Sequence, residues 1–158
     1  MSRVSLHLSP PTPIAGRLAA QSLLYAWGEG AFMTGSAVFF TQIVGLKAAQ
    51  VGLGLTIAGV AAFLTAVPSG RLVDRFGPRQ MWAISAASQA ALFSLWPLIN
   101  NFHGYVAMAV AMEVVGGVGH AAHSAYVLDV LPAAERVNSR AYMYSALNLG
   151  FTVGSLTG

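Results

Sequence analysis

Glu29 and Glu113 are the residues of this sequence best placed to do chemistry, because each lies near the middle of a long apolar stretch. A charge at the centre of a lipid-buried helix costs about 2.5–3.5 kcal/mol on insertion scales, so an unpaired, ionised glutamate does not face lipid. Such an acid faces a cavity or a partner. Burial disfavours its charged form, which makes it a candidate proton carrier. At helical spacing Glu29 shares a face with Ser22, Tyr25 and Ser36, a thin polar stripe expected to line a cavity. Hydrogen bonding to a neighbouring helix for packing is the alternative. Glu113, Gly117, His120 and Ser124 likewise share a face, and a carboxylate and an imidazole two turns apart can relay a proton through water. His123 is expected to be a satisfied polar residue near the end of its helix.

Other chemistries find little support. Glu113, His120 and His123 are ligand types, but their spacings of seven and three do not converge as i, i+4 ligands do, so no metal site is expected. Cysteine is absent, which removes thiol nucleophiles, cysteine-ligated metals and disulfides. No nucleotide loop, Ser-His-Asp grouping or Gly-rich phosphate cradle is visible. Neither an enzyme nor an ATP-driven pump is expected, and no cofactor.

The elements that carry these residues are apolar helices. Of 158 residues, 56% are hydrophobic and 8% charged, with a mean hydropathy of +0.64; the apolar residues fall in long blocks that leave no watery face. A span of roughly 30 Å needs about 20 helical residues. Segments 18–44, 50–69, 81–99 and 105–130 meet that length, and a fifth, 140–158, is expected to be incomplete. Residues 1–16, polar and proline-rich, are expected to form a flexible tail; a cleaved signal fits poorly because the next apolar stretch is too long and more follow.

The pI near 9.7 does not imply a nucleic-acid partner, since the basic residues are scattered singly between apolar blocks. They report topology instead. With the amino terminus cytoplasmic, the inner segments hold Arg3, Arg17, Arg71, Arg75, Arg79, Arg136 and Arg140, against Lys47 alone outside. Trp82 and Trp96 bracket the third segment and Tyr105 and Tyr126 the fourth, where amphipathic rings prefer the interface. Gly28, Gly30 and Gly35 in the first segment and Gly116, Gly117 and Gly119 in the fourth are read as sites of close helix packing.

Between the second and third segments runs Pro68-Ser69-Gly70-Arg71-Leu72-Val73-Asp74-Arg75-Phe76-Gly77-Pro78-Arg79-Gln80. It resembles the cytoplasmic signature of the major facilitator superfamily: glycine, any, leucine, any, aspartate, arginine, any, glycine, then basic residues. Gly70, Leu72, Asp74, Arg75, Gly77 and Arg79 match. Gly70 and Gly77 are expected to permit a tight reversal, and the arginines to reach phosphate headgroups. Leu131-Pro132-x-x-Glu135-Arg136 and Asn148-x-Gly150-x-x-x-Gly154 look like the same family, so the resemblance covers nearly the whole chain.

The resemblance implies an all-α polytopic membrane protein, the amino-terminal helix bundle of a transporter of this superfamily, truncated within helix five. It implies a latch in which Asp74 meets a helix end of the other half of the molecule and an arginine meets an acid at the end of helix four, where Asp129 stands. Pro78 occupies a position that the family often fills with a basic residue, so the contact to Asp129 falls to Arg75 or Arg79 or is lost. Glu113 stands where proton-driven exporters commonly carry an arginine. An acid in helix one, like Glu29, does occur in similar multidrug exporters. The implied function is secondary active transport of a small organic solute across the cell membrane by alternating access, as proton-coupled export through Glu29, Glu113 and His120 with Tyr25 beside them. Uptake by proton symport, or an inactive half that requires a carboxy-terminal half or an oligomeric partner, are the alternatives.

Overall fold

A computed structural model describes residues 12–158. The described residues form five α-helices: α1 (Pro13–Val38), α2 (Ala48–Phe76), α3 (Pro78–Leu95), α4 (Phe102–Val130) and α5 (Arg136–Thr157). The tail expected over residues 1–16 lies mostly outside them. Its last residues are helical, because the Thr12 hydroxyl caps α1 by accepting the Ala15 N–H at 3.2 Å and Pro13 fits a first helical position.

Local chemistry sets the other ends. A π-helical turn, Phe39–Ile43, finishes α1, and Gly45, at φ +76°, reverses the chain. At the start of α2 the Gln50 side chain accepts the Lys47 N–H at 2.9 Å. Pro97 falls in the 3₁₀ turn Trp96–Leu98 that closes α3, while the Asn101 side chain caps α4 by accepting the Gly104 N–H at 2.8 Å. Leu131-Pro132 stops α4.

Small residues take a large share of the buried positions, beside larger ones such as Phe40, Tyr105 and Met81. Buried positions include Ala15, Ala19, Ala26, Ala58, Ala109 and Ala122 together with Ser22, Ser69, Ser85 and Ser139. Large apolar residues point outward, with Phe63 81% exposed and Leu64 and Val67 close behind. Small residues bring backbones together where lipid, not water, wets the outside. By length and apolarity α2 and α4 are the described helices that pass as membrane spans. The other three are interrupted by polar residues such as Gln21 and Glu29 on α1, Ser85 and Gln89 on α3, and Asn138, Arg140 and Asn148 on α5.

Contacts divide the chain into two units, one ending at Ser36 and resuming at Val130–Gly158, the other Ala37–Asp129. In the first, α1 and α5 lie side by side. A Cβ added at Gly150, Gly154 or Gly158 would fall on the carbonyl oxygens of Leu23, Trp27 and Ala31 respectively, and one at Gly30 on that of Phe151. The partners advance together along both helices, so α1 and α5 run parallel, separated by little more than backbone. The Trp27 indole N–H donates to the Thr157 hydroxyl at 3.1 Å across the seam. Of the glycines expected to pack in the first segment, Gly30 does so, while Gly28 and Gly35 have nothing within 4 Å.

In the second unit, α2, α3 and α4 are joined at two levels. At one end Phe40 packs between Tyr105 and Trp96, with ring centroids 4.6 and 5.3 Å away. Gly54 leaves room for the Tyr105 ring, and the Tyr105 hydroxyl donates to the Val51 carbonyl at 3.1 Å. Toward the other end Val73, Met81 and Ala122 form a core flanked by Trp82 and Val118. The Ser85 hydroxyl donates to the Val115 carbonyl at 2.7 Å, an approach permitted by Gly119, where a Cβ would strike that hydroxyl. Gly117 has open space instead, and Gly116 meets the Gln89 side chain at 3.8 Å, an ordinary contact.

Candidate functional site

The segment from Pro68 to Gln80 is helical on both sides of a single residue, Gly77. Its φ of +86° is a conformation that side chains resist, and the Gly77 N–H still closes the last turn of α2 on the Val73 carbonyl at 2.9 Å. Pro78, whose ring presets φ and which needs no donor there, then begins α3. The reversal expected of two glycines is therefore made by one. Gly70 sits inside α2 with nothing within 4 Å of a Cβ position, because α2 continues unbroken to Phe76.

Around this corner the motif's charges are exposed: Arg71, Asp74 and Arg75 on the last turns of α2, and Arg79 on the first turn of α3. Val73 between them is buried and anchors the corner to α3 and α4. The Arg75 guanidinium lies 5.3 Å from the centre of the Phe76 ring, a cation–π distance. Beside the corner is an open depression of about 530 Å³ lined by Phe76, Gly77, Pro78, Arg79, Tyr126 and Asp129, with Gln80 and Ala83. The structure thus brings Arg79, across the proline, into the same depression as Asp129 of α4. Tyr126, read from the sequence as an interface anchor, also lines it; its place one turn before Asp129 was the signal available.

On α4, Glu113, Gly117 and His120 are exposed, while Tyr105, Ala109, Gly119, Ala122 and Val127 are buried. On α1, Tyr25 and Glu29 are exposed. Ser22, expected on the same stripe, is instead buried with Ala19, Ala26 and Gly30, its hydroxyl bonded to the Leu18 carbonyl of its own helix at 2.9 Å. Ser36 bonds the Met33 carbonyl at 3.2 Å. Of the polar stripe expected on α1, Ser22 is therefore withdrawn by burial, while Tyr25 and Glu29 are exposed and Ser36 is partly so. His123 departs from expectation too: its Nε2 is buried without a hydrogen-bond partner, and its ring lies 4.9 Å from that of Trp82. Among the described residues no group of three metal-ligating side chains converges.

The sequence profile of the Major Facilitator Superfamily matches residues 18–158. The chain belongs to that superfamily. Its members are membrane transporters, which accords with the large apolar residues on the outside of α2. The chain is 29% identical over 123 residues to multidrug resistance protein 2 of Bacillus subtilis (strain 168), covering 75% of this chain and 30% of that protein. It is 24% identical over 141 residues to an uncharacterised transporter of the superfamily from Escherichia coli (strain K12), covering 89% and 36%. A Na(+), Li(+), K(+)/H(+) antiporter of Planococcus maritimus is 28% identical over 128 residues, covering 77% and 30%. The chain thus spans about a third of the length of these curated relatives. No solved structure matches it.

Proposed function

We propose that this chain serves proton-coupled export of a small organic solute across the cell membrane by alternating access, with its amino terminus in the cytoplasm. The observation that carries the reading is Glu29: a carboxylate near the middle of α1, on an exposed face beside Tyr25, while another face of the helix is committed to glycine-close packing with α5. An ionisable acid on an exposed face of a membrane-embedded helix is the kind of group that exchanges protons with a solute path. Glu113 and His120 on the exposed face of α4 assist in moving the proton. The relatives named for multidrug resistance and for cation/proton antiport favour proton-linked export.

In this reading the five helices are spans and the corner at Gly77 faces the cytoplasm. Asp74, Arg75, Arg79 and Asp129 form a latch that holds the inner side closed in one state and releases it in the other. The exposed faces of α1 and α4 need a matching wall, supplied by further helices of the same protein or by a second copy. Solute, proton and lipid are then the partners.

The test is transport of ethidium and of sodium ion into inverted vesicles that carry the complete reading frame, driven by a proton gradient, with Glu29→Gln beside the unmodified protein. Export predicts gradient-driven accumulation that Glu29→Gln abolishes. Accumulation in the opposite sense would assign uptake by symport, and a fully active Glu29→Gln would overturn the coupling assignment.

A further inference from the structure

His123 is the intramembrane histidine for which packing supplies no explanation. It lies one turn beyond His120 toward the Gly77 end of α4 and one turn before Tyr126, about 4.5 Å along the axis from each. Its Nε2 is shut off from solvent yet makes no hydrogen bond, and an orphaned polar atom of this kind in a low-dielectric site marks a water site or a proton-transfer role. Trp82 of α3 contacts both His123 and Tyr126, with ring centroids 4.9 and 5.4 Å away, and Tyr126 lines the depression beside Asp129. The imidazole is therefore one side chain removed from open water on one side and one turn from the exposed face of Glu113 and His120 on the other.

We propose that His123 carries the coupling proton between the exposed face of α4 and the depression at its Gly77 end. This rests on the proton-coupled reading above and adds the route. In a state that admits water beside it, the imidazole takes a proton at Nε2 from the side of His120, becomes imidazolium next to the Trp82 ring, and loses its Nδ1 proton through water toward the depression, where Asp129 accepts it; a ring flip restores the starting tautomer. Only N–H and O–H bonds are exchanged. The neighbouring elements leave few competing charges: α3 presents the neutral Trp82, and α2 meets this stretch through Val73. The titratable groups about His123 are His120 and Tyr126 on α4, then Arg79 and Asp129 on the depression.

The experiment uses vesicles with the complete reading frame, ethidium and sodium ion as probes, and trapped pyranine to read internal pH. His123→Phe keeps a ring against Trp82 but cannot carry a proton; His123→Gln keeps polarity without titration. Both are expected to slow probe-coupled proton flux roughly tenfold or more, while probe exchange without a proton gradient stays at the unmodified rate. Coupled flux at the unmodified rate in His123→Phe, or an equal loss of exchange in both variants, would overturn the relay. Glu29→Gln is assayed alongside. If it is inert and His123→Phe is fully active, the relay alone falls; if it is fully active, the coupling reading falls and the relay with it.

Discussion

The Ser85 hydroxyl reaches the Val115 carbonyl at 2.7 Å, and Gly119, one turn beyond Val115, is what lets α3 come so close to α4. Interhelical hydrogen bonds of this kind contribute about 0.6–1.7 kcal/mol in membrane proteins. Ser85→Ala is expected to lower stability by that amount in thermal unfolding in detergent. Gly119→Ala drives a Cβ into the hydroxyl, so it is expected to cost more alone than in the Ser85→Ala background, a non-additivity that a double-mutant cycle reads directly.

The seam between α1 and α5 gives a sharper contrast. Gly150→Ala or Gly154→Ala places a methyl on backbone that cannot step aside, and each is expected to cost about 1–3 kcal/mol as overpacking. Gly28→Ala and Gly35→Ala, with nothing within 4 Å, are expected to be neutral or slightly stabilising, since alanine is the better helix former. Unfolding midpoints of the four variants in one detergent check the ordering.

The two motif glycines should part company. Gly77→Ala forces a side chain into φ +86° and is expected to destabilise by about 1–3 kcal/mol. Gly70→Ala lies in open space within α2 and is expected to leave stability unchanged. If Gly70→Ala nevertheless slows transport, its role lies in a state of the transporter other than this one.

Arg79 and Asp129 share one depression. If they work together in the latch, Arg79→Gln and Asp129→Asn should each slow transport without lowering expression, and the double variant should be no slower than the worse single one. Additive losses would mean that they act separately.

Tyr105→Phe removes only the hydroxyl that donates to the Val51 carbonyl, and a loss of about 1 kcal/mol is expected. Gly54→Ala, which pushes on the same ring, should cost more, again by unfolding in detergent.

The sequence alone determined the helical architecture and the family, because both are written in local terms. Long apolar blocks admit no other backbone in lipid, and the match of Gly70, Leu72, Asp74, Arg75, Gly77 and Arg79 depends on residue type and spacing alone. It also made Glu29, Glu113 and His120 conspicuous, since an ionisable residue in an apolar run needs a reason. Tertiary structure decided which of the small residues matter. Gly30, Gly119, Gly150 and Gly154 meet neighbours while Gly28, Gly35, Gly70 and Gly117 do not, and a glycine's use depends on what stands opposite it. The same holds for Ser22, buried where helical spacing grouped it with exposed Tyr25 and Glu29. It holds for His123, whose missing partner is a fact about space that no spacing along the chain encodes. Periodicity tells which residues share a face; only the packed neighbours determine what that face meets.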